Sequence, residues 1–347
     1  MPRILFACGV SLLLYITLFA CVLDRPLTLG ALRTRIEANL ARGAAIAVPK
    51  LVILAGSNGP YSHRCEMIEA IIGRPCVNAG IAVGIGLDYL FTRWKPLLHP
   101  GDIVYIPLEE AQYVRPCAAA ALGPDAAIML RHDRTTLWTM PVHRQLAALF
   151  ASDLRGAIMS LIETALVDSK FQDPREAVTG SFNVWGDHVG HTKRLGSSSE
   201  AALAAATPVH PSAAEIRAGY GTATVRHFLR WANPHGIRVI GGLPTGFADS
   251  PIGEDSVAAI RSVYRDEDAS FLELPNRSRY PRSAFFDTPD HLNEAAQIRH
   301  SVAVGRALVR MTAAPPPCWQ CEERSDKATP RMVCMVRELA SSLRRSQ

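Results

Sequence analysis

The sequence predicts an α/β fold in which helices cover both faces of a parallel sheet. Short apolar runs rich in Val and Ile alternate with stretches of helical period along the 347-residue chain. Each run ends in a turn that contains Gly, Asn or Pro. Strands that are buried on both faces read as continuous apolar runs of this kind. We therefore expect a three-layer α/β/α domain over residues 50–312, interrupted by a helical and loop insertion at about 115–212.

The predicted elements follow one another in the order that such a sheet needs. The strands are expected at residues 51–55, 75–80, 103–107, 237–242 and 270–274. The helices are expected at residues 62–72, 85–97, 213–232, 256–264 and 294–309. Within the insertion we expect a helix over 137–167 and a long loop over 179–199, which is rich in Gly, Asn, His and Ser.

The chain begins with an apolar segment, residues 4–23, that carries no charge and is long enough to cross a bilayer as a helix. It follows Arg3 directly and lacks a clean small-x-small cleavage site, which favours an uncleaved anchor over residues 1–24. Residues 25–49 are predicted to form a linker with an amphipathic stalk helix. The predicted location is the inner membrane, with a single span and with the globular domain in the periplasm.

Charge and cysteine content narrow the function classes. The net charge of +5 comes from scattered basic residues, which argues against nucleic acid as a partner. Six cysteines lie outside the apolar segment, an even number that permits disulfides in an oxidising compartment, with Cys65 and Cys76 the closest pair in the first unit. In the tail, residues 313–347, Cys318-x-x-Cys321 favours a disulfide over zinc because no second half-site stands nearby.

A serine directly follows the first predicted strand, in the turn Gly56-Ser57-Asn58-Gly59. Ligands of a parallel α/β sheet bind at the carboxyl ends of its strands, so Ser57 is a candidate nucleophile. Its alternative role is to cap the next helix, a position that Ser prefers. Asp287 and His291 precede the last predicted helix and would supply the acid and the base that such a serine requires. Here the alternative is that Asp290 caps the helix and His291 lies on the surface.

Together these blocks resemble the SGNH, or GDSL-type, hydrolase superfamily. Gly56-Ser57-Asn58 is similar to its nucleophile turn, Asn78-Ala-Gly80 to its second block, and residues 287–291 to its last block. The resemblance implies an SGNH or flavodoxin-like fold, with Ser57 as nucleophile, His291 as base, Asp287 as the acid that orients it, and no cofactor. It also implies an oxyanion hole built from the backbone N–H groups of Ser57 and Gly80, with Asn58 as a side-chain donor.

Gly56 directly precedes Ser57, where the family has one residue between the Gly and the Ser, and two further positions depart from the family's pattern. Thr288 stands three residues before His291, so the acid is either Asp287 or Asp290; we prefer Asp287 because neighbouring side chains diverge. Glu109 ends the third strand where the family has an Asn that helps to hold the oxyanion. A carboxylate cannot donate to an oxyanion unless it is protonated. We expect Glu109 to contact the substrate.

The loop of the insertion contributes three further candidates for substrate binding, Trp185, Asp187 and His191. Trp185 suits stacking on a sugar ring, since its body is apolar and its edge carries an N–H. Asp187, His188 and His191 could bind a metal, but weak ligand patterns in Gly-rich loops are more often ordinary loop chemistry. We therefore assign no metal.

The resemblance and the predicted anchor imply an enzyme that adds or removes acyl groups, acetyl above all, on a cell-surface or secreted polysaccharide. Whether the acyl group passes to water or to a sugar hydroxyl depends on how well the site excludes water, which the sequence leaves open. A transferase would take an acyl-donating membrane protein as its partner. The alternative is a non-catalytic accessory protein that binds polysaccharide or scaffolds an exopolysaccharide synthesis and export complex.

Overall fold

A computed structural model describes residues 2–23, 29–116, 124–149, 162 and 181–313. The chain divides into two compact units, Met1–Leu308 and Val309–Gln347. The Cys318-x-x-Cys321 pair lies outside the described residues, and so does the greater part of the predicted helix at 137–167.

Five parallel strands form the central sheet, in the order β2-β1-β3-β4-β6. The seven strands of the described residues are β1 (Leu51–Ile53), β2 (Cys76–Asn78), β3 (Ile103–Ile106), β4 (Arg238–Gly242), β5 (Gly246–Phe247), β6 (Ser270–Leu272) and β7 (Arg279–Tyr280). The short strands β5 and β7 pair with each other, also in parallel. The parallel sheet predicted from the apolar runs is confirmed, and its order is that of flavodoxin-like doubly wound folds.

Both faces of the sheet are buried, which explains why its strands read as unbroken apolar runs. Successive side chains of a strand point to opposite faces. Val52, Val77 and Val104 share one face, because they are neighbours in register, and they belong to the largest hydrophobic core. Leu51 and Ile53 point the other way and are fully buried as well. A strand with no solvent-exposed face has no position at which a polar residue is favoured.

The helices cover the sheet and its edges. Those of the described residues are α1 (Pro2–Leu23), α2 (Leu29–Ala45), α3 (Asn58–Ser62), α4 (Cys65–Ile72), α5 (Leu87–Trp94), α6 (Glu110–Val114), α7 (Pro124–His132), α8 (Arg134–Thr139), α9 (Val142–Leu149), α10 (Glu200–Ala205), α11 (Ala213–Ala218), α12 (Tyr220–Ala232), α13 (Glu254–Arg265) and α14 (Glu294–Ala313). The predicted helix at 213–232 is two helices, α11 and α12. Gly219 between them is extended, and a Cβ on it would lie 2.1 Å from the carbonyl oxygen of Tyr113.

The amino-terminal segment differs from its prediction. Residues of the apolar segment form α1, yet no helix in the described part of the chain is both long enough and apolar enough to cross a membrane. The predicted transmembrane anchor is therefore not supported. The predicted stalk helix corresponds to α2, and Ile36 and Leu40 of α2 are buried in the largest core. This helix is thus packed on the domain instead of standing apart from it.

Two covalent or ionic ties hold the elements that carry the site. A disulfide joins Cys65, the first residue of α4, to Cys76, the first residue of β2, with 5.3 Å between their Cα atoms. This is the pair that the sequence singled out. At the amino ends of β1 and β3, Lys50 Nζ lies 2.8 Å from Asp102 Oδ2, with both side chains fully buried. Removing either partner would leave a buried charge uncompensated, so the pair fixes the two strands together.

Candidate active site

The centre of the sheet has a topological switch point between β1 and β3. From β1 the chain passes to β2 on one side and then returns to β3 on the other. Ligands of open α/β sheets bind beyond the carboxyl ends of the strands at such a point. Ser57 follows β1, and Glu109 follows β3. The sheet thus brings a hydroxyl and a carboxyl from two distant parts of the sequence to one edge.

The Ser57 hydroxyl does not cap the helix that it precedes. Ser57 is the residue before α3, and its backbone is helical, with φ −64° and ψ −22°. Its side chain makes no capping hydrogen bond. Instead, Ser57 Oγ donates to Glu109 Oε1 at 3.1 Å. Helix capping, the alternative role considered for Ser57, is therefore not how this structure uses the hydroxyl.

The Glu109 carboxyl is buried and accepts hydrogen bonds from Ser57 and from the residue that follows it. The residue is 8% exposed, and its Oε1 also accepts the backbone N–H of Asn58 at 3.0 Å. Burial raises the pKa of Glu109, while hydrogen bonds from Asn58 and Ser57 and the proximity of His291 act in the opposite direction. Gly56 permits this approach, because a Cβ there would lie 2.6 Å from Glu109 Oε1.

A tight loop before α14 pairs Asp287 with His291. The N–H of Phe286 donates to the carbonyl oxygen of His291 at 2.9 Å, and Phe285 forms an antiparallel bridge with Leu292. This reversal places Asp287 Oδ1 2.7 Å from His291 Nδ1, four positions apart in sequence. A carboxylate on Nδ1 leaves Nε2 as the nitrogen that can accept a proton.

Asp290, the alternative acid, has a different environment. It makes no hydrogen bond to His291 within the part of the chain that the structure describes, and its N–H contacts the Thr288 hydroxyl at 3.4 Å. Burial raises the pKa of Asp290 to about 7, with a further contribution from Glu109. Nor does it cap α14, where the Asn293 side chain accepts the N–H of Ala296 at 3.1 Å.

The short helix α3 holds Ser57 and the His291 loop together. The Tyr61 ring stacks on the His291 ring, with 4.0 Å between centroids and 8° between planes. One residue further, Ser62 Oγ donates to the carbonyl oxygen of Asp290 at 2.9 Å. Through α3, the turn that carries Ser57 is thus tied to the loop that carries His291, and within the described residues no hydrogen bond joins Ser57 to His291. Sequence reasoning missed Tyr61, because a single aromatic residue in a helix does not indicate which distant side chain its ring will contact.

The predicted oxyanion donors are engaged within the protein. The N–H of Gly80 donates to Asn78 Oδ1 at 3.2 Å, and Asn58 Nδ2 donates to the carbonyl oxygen of Pro107 at 2.7 Å. The third predicted donor, the backbone N–H of Ser57, faces the Glu109 carboxyl, and so does the backbone N–H of Asn58. The backbone donor of Asn58 was missed by sequence reasoning. Its signal was available, since the residue after a nucleophilic serine at a strand-to-helix turn commonly supplies this N–H.

Trp185 lies beside the edge strand β2. Its carbonyl oxygen accepts the N–H of Asn78 at 2.8 Å, and its indole Nε1 donates to Glu69 Oε2 at 2.8 Å. The Arg42 guanidinium stands 5.3 Å from the centre of its ring. Its polar edge is thus taken by Glu69 of α4, and stacking on a sugar remains a prediction for this residue.

Asp187 is fully buried at the amino end of α4. Its carboxylate accepts the N–H groups of Cys65 at 2.8 Å and of Glu66 at 3.3 Å, and the Asn78 side chain at 3.0 Å. Burial raises the pKa of Asp187, and these hydrogen bonds oppose the rise. The carboxylate therefore satisfies donors of a helix start that would otherwise lack partners. Its predicted contact with substrate is untested.

His191 and His188 belong to an aromatic cluster that also contains Tyr61. Both histidines are buried, with 3.0 Å between their Nδ1 atoms, and burial together with the neighbouring His188 lowers the pKa of His191 to about 3. The His188 ring stacks on the face of Tyr61 at 4.3 Å, and His291 also stacks on Tyr61. Over the described residues, no group of three His, Cys, Asp or Glu side chains could hold a metal ion. The cluster supports the ring that covers His291.

A pocket of about 170 Å³ opens beside the site. Its lining includes Glu109, Glu110, His210, Phe247, Arg279 and Asp290. We name it the Arg279 pocket. It borders the site at two points, since Glu109 accepts the Ser57 hydroxyl and Asp290 precedes His291. Sequence reasoning missed Arg279, because a lone Arg between short strands has no motif.

No protein-family model matches this chain, and no curated protein matches it significantly. Among solved structures, the chain is similar to the crystal structure of the protein YxiM from Bacillus subtilis, with 12% sequence identity and a TM-score of 0.38. The match covers 77% of this chain and 58% of that one, so the chain spans less than two thirds of the length of that protein. The α/β class of this chain rests on its own parallel sheet.

Proposed function

We propose that this chain is a serine esterase or acyltransferase of the SGNH type, acting on O-acyl groups, acetyl being the first candidate, of a cell-surface or secreted polysaccharide. The observation that carries the proposal is the hydrogen bond between Asp287 and His291, 2.7 Å long, on a loop that α3 holds next to Ser57. A nucleophile on one loop, with a base and an acid on a second loop at the same end of a sheet, supplies the parts that acyl transfer requires.

The chemistry follows from these positions. Ser57 Oγ attacks the ester carbonyl carbon, and its proton passes to His291 Nε2 while Asp287 stabilises the imidazolium through Nδ1–H. The tetrahedral intermediate collapses, and the leaving group of the acyl donor, a sugar oxygen in the esterase, takes the proton from His291. Water or a second sugar hydroxyl then attacks the acyl-enzyme while His291 accepts its proton, and Ser57 Oγ departs from the acyl carbon and takes that proton from His291. The products are free acid in one case and a newly acylated sugar in the other.

The oxyanion would be held by the N–H groups of Ser57 and Asn58, which face Glu109 in this structure. An ionised Glu109 competes with the oxyanion for both donors and repels its charge. A protonated Glu109 instead adds an O–H donor of its own. Burial raises the pKa of Glu109, which favours the protonated form. The site is thus most active when Glu109 is neutral and His291 is unprotonated.

The test is esterase activity with p-nitrophenyl acetate, together with labelling by a fluorophosphonate probe. We expect Ser57→Ala to abolish both, since the probe reacts only with an activated serine. Ser198→Ala, a change at an exposed serine, is the matched control and should behave like the wild type. Equal hydrolysis by the wild type and Ser57→Ala, with no label on Ser57, would reject the proposal.

One observation favours a second function, a non-catalytic accessory protein that binds or scaffolds polysaccharide. The Ser57 hydroxyl donates its hydrogen bond to Glu109, and it has no hydrogen bond to the His291 ring within the described residues. Under this function the chain would retain acylated polymer without releasing acid. Co-sedimentation with insoluble polysaccharide, in a protein that gives no fluorophosphonate label, is its distinguishing result.

We further propose that the domain works in an oxidising compartment, the periplasm, and that an acyltransferase would receive its acyl group from a membrane protein. The disulfide between Cys65 and Cys76 supports the compartment, because such bonds persist in exported proteins and are rare in the cytosol. Alkylation of unreduced protein taken from its native cells tests this. Both cysteines should resist the reagent until a reductant is added.

A further inference from the structure

The Arg279 pocket has a charge arrangement that none of the sequence motifs explains. The Arg279 side chain is 10% exposed, and its Nη2 donates to the carbonyl oxygen of Pro244 at 3.3 Å and lies 3.7 Å from Glu110 Oε1. The guanidinium packs directly over Gly246, where a Cβ would lie 1.6 Å from Nη1. The cation is therefore fixed in place by its surroundings before any ligand arrives.

The acidic side of the pocket is fixed as well. Glu110 Oε2 lies 2.7 Å from His210 Nδ1, and His210 Nε2 in turn lies 3.1 Å from the carbonyl oxygen and from the hydroxyl of Ser250. Glu109 and Asp290 complete the lining towards the Ser57 site. Three acidic residues and one arginine thus line the same small space.

This lining suits hydroxyl groups better than ions. Hydroxyls donate to carboxyl oxygens and accept from a guanidinium, so a vicinal diol would satisfy both kinds of group at once. The exposed or half-buried residues Pro208, Val209 and Pro289 add apolar surface between the polar groups, as the carbon face of a ring requires. A ligand carboxylate would instead face Glu110, whose carboxylate already pairs with His210 and Arg279, and like charges at such range repel in a partly buried site.

We propose that the Arg279 pocket binds one neutral sugar unit of the substrate, and that the Glu110 carboxylate in its lining excludes uronic acids. The assignment of that unit as the acyl-bearing or acyl-accepting one rests on the function proposed above. Binding itself does not, because the pocket is built without Ser57. A volume of about 170 Å³ is below the 300–1,000 Å³ of drug-sized sites, which fits a single ring rather than a longer segment.

The test uses the full chain with Ser57→Ala, so that no turnover occurs, and two probes that differ only at carbon six. These are methyl β-D-glucopyranoside and methyl β-D-glucopyranosiduronate, and binding is measured by ligand-observed NMR titration. We expect the glucoside to bind at least tenfold more tightly than the glucuronide. Arg279→Gln should weaken glucoside binding about tenfold. Glu110→Gln should reduce the difference in affinity between the glucoside and the glucuronide.

Arg226→Gln and Glu200→Gln, both at exposed ion pairs away from the pocket, are the matched controls and should leave both affinities unchanged. Circular dichroism establishes that each variant is folded, and Glu110→Gln provides a second test should Arg279→Gln fail to fold. Equal or tighter binding of the glucuronide, or no binding of either sugar, would overturn the proposal. Equal esterase activity of the wild type and Ser57→Ala would reject the proposed enzymatic function. It would leave the sugar-binding proposal standing, since sugar binding is measured without turnover.

Discussion

Ser57 Oγ donates to Glu109 Oε1 at 3.1 Å, and the same carboxyl oxygen accepts the N–H of Asn58 at 3.0 Å. A group that accepts hydrogen bonds when ionised thus lies where a serine hydrolase needs donors. Protonation reverses its role, since a neutral carboxyl can donate. Burial raises the pKa of Glu109, so this reversal falls at a higher pH than for an exposed Glu.

We expect Glu109→Gln to raise kcat/KM for p-nitrophenyl acetate by about tenfold at and above neutral pH, given that one oxyanion donor is worth about 10²–10³ in kcat. Glutamine keeps the length of the side chain and carries a permanent N–H₂ donor. In the wild type, activity should decline as pH rises through the raised pKa of Glu109, because the carboxyl ionises. That decline should be absent from the variant, whose amide does not titrate.

Glu200→Gln, a change at an exposed glutamate, is the control and should reproduce the wild-type pH profile. A fall in activity of Glu109→Gln by tenfold or more at every pH would show instead that Glu109 accepts the proton of Ser57 directly. In that case His291 would not be the base.

The acid of the site is tested by comparing Asp287→Asn with Asp290→Asn. Asp287 lies 2.7 Å from His291 Nδ1 and fixes the tautomer of the ring, so its loss should lower kcat by about 10²–10⁴. Asp290 makes no hydrogen bond to His291 in the described residues, and its variant should change kcat less than about tenfold. Steady-state kinetics with p-nitrophenyl acetate measures both. A larger loss in Asp290→Asn would transfer the role to Asp290.

The parallel sheet and the positions of Ser57, Asp287 and His291 could be predicted because they depend on local patterns. Each lies at a strand end or in a turn before a helix, where periodicity and Gly or Pro mark the boundary. The pairing of Asp287 with His291 could be expected for a similar reason, since a turn containing Pro289 can absorb one extra residue. The bridge between Phe285 and Leu292 closes that turn.

The rest depends on which parts of the chain meet in space, which a single sequence does not encode locally. Asp187 looks like a ligand in a Gly-rich loop, but the N–H groups of α4 that it accepts lie far away in sequence. Tyr61 looks like a helix residue, although its ring covers His291. The helix predicted over 213–232 breaks at Gly219, where the carbonyl oxygen of Tyr113 approaches the backbone. Helix propensities describe single residues and carry no information about such a tertiary contact.

Tyr61 is expected to act by positioning the His291 ring, with which it stacks at 4.0 Å. Burial raises the pKa of Tyr61 to about 12, so its hydroxyl stays protonated and is not a base at neutral pH. Tyr61→Phe should therefore retain nearly full activity. Tyr61→Leu should lower kcat about tenfold with little change in KM, because the ring support is lost while the substrate contacts remain. Equal losses in both variants would assign the effect to the hydroxyl.

The disulfide should stabilise the domain measurably. It closes a loop with a sequence separation of 11, for which chain entropy predicts about 3 kcal/mol. We expect Cys65→Ala combined with Cys76→Ala to lower the free energy of unfolding in urea by about that amount. Cys8→Ser, at the exposed free cysteine, is the control and should leave the midpoint unchanged. A wild type whose midpoint is insensitive to dithiothreitol would contradict the expectation.

Two buried histidines should make the domain sensitive to mild acid. His63 and His300 are fully buried, with 3.3 Å between their Nε2 atoms, and Tyr280 Oη lies 2.9 Å from His300 Nδ1. Burial lowers the pKa of His63 to about 4 from its ordinary value of 6.5, and burial together with the neighbouring His63 lowers the pKa of His300 well below that ordinary value. Between these pH values the unfolded chain binds protons that the folded chain excludes, so stability falls as pH drops from 6.5 towards 4.

For His63 alone the free energy of unfolding should fall by about 3 kcal/mol across that window, because a tenfold change in proton affinity corresponds to about 1.4 kcal/mol. His63→Gln removes the titration and should flatten the pH dependence by this amount, whereas His235→Gln, at an exposed histidine, should not. Urea unfolding at pH 7.5 and pH 4 measures the difference for each variant. If the free energy of unfolding depended on pH equally in His63→Gln and the wild type, the prediction would be wrong. Protonation of His63 would then not destabilise the folded state.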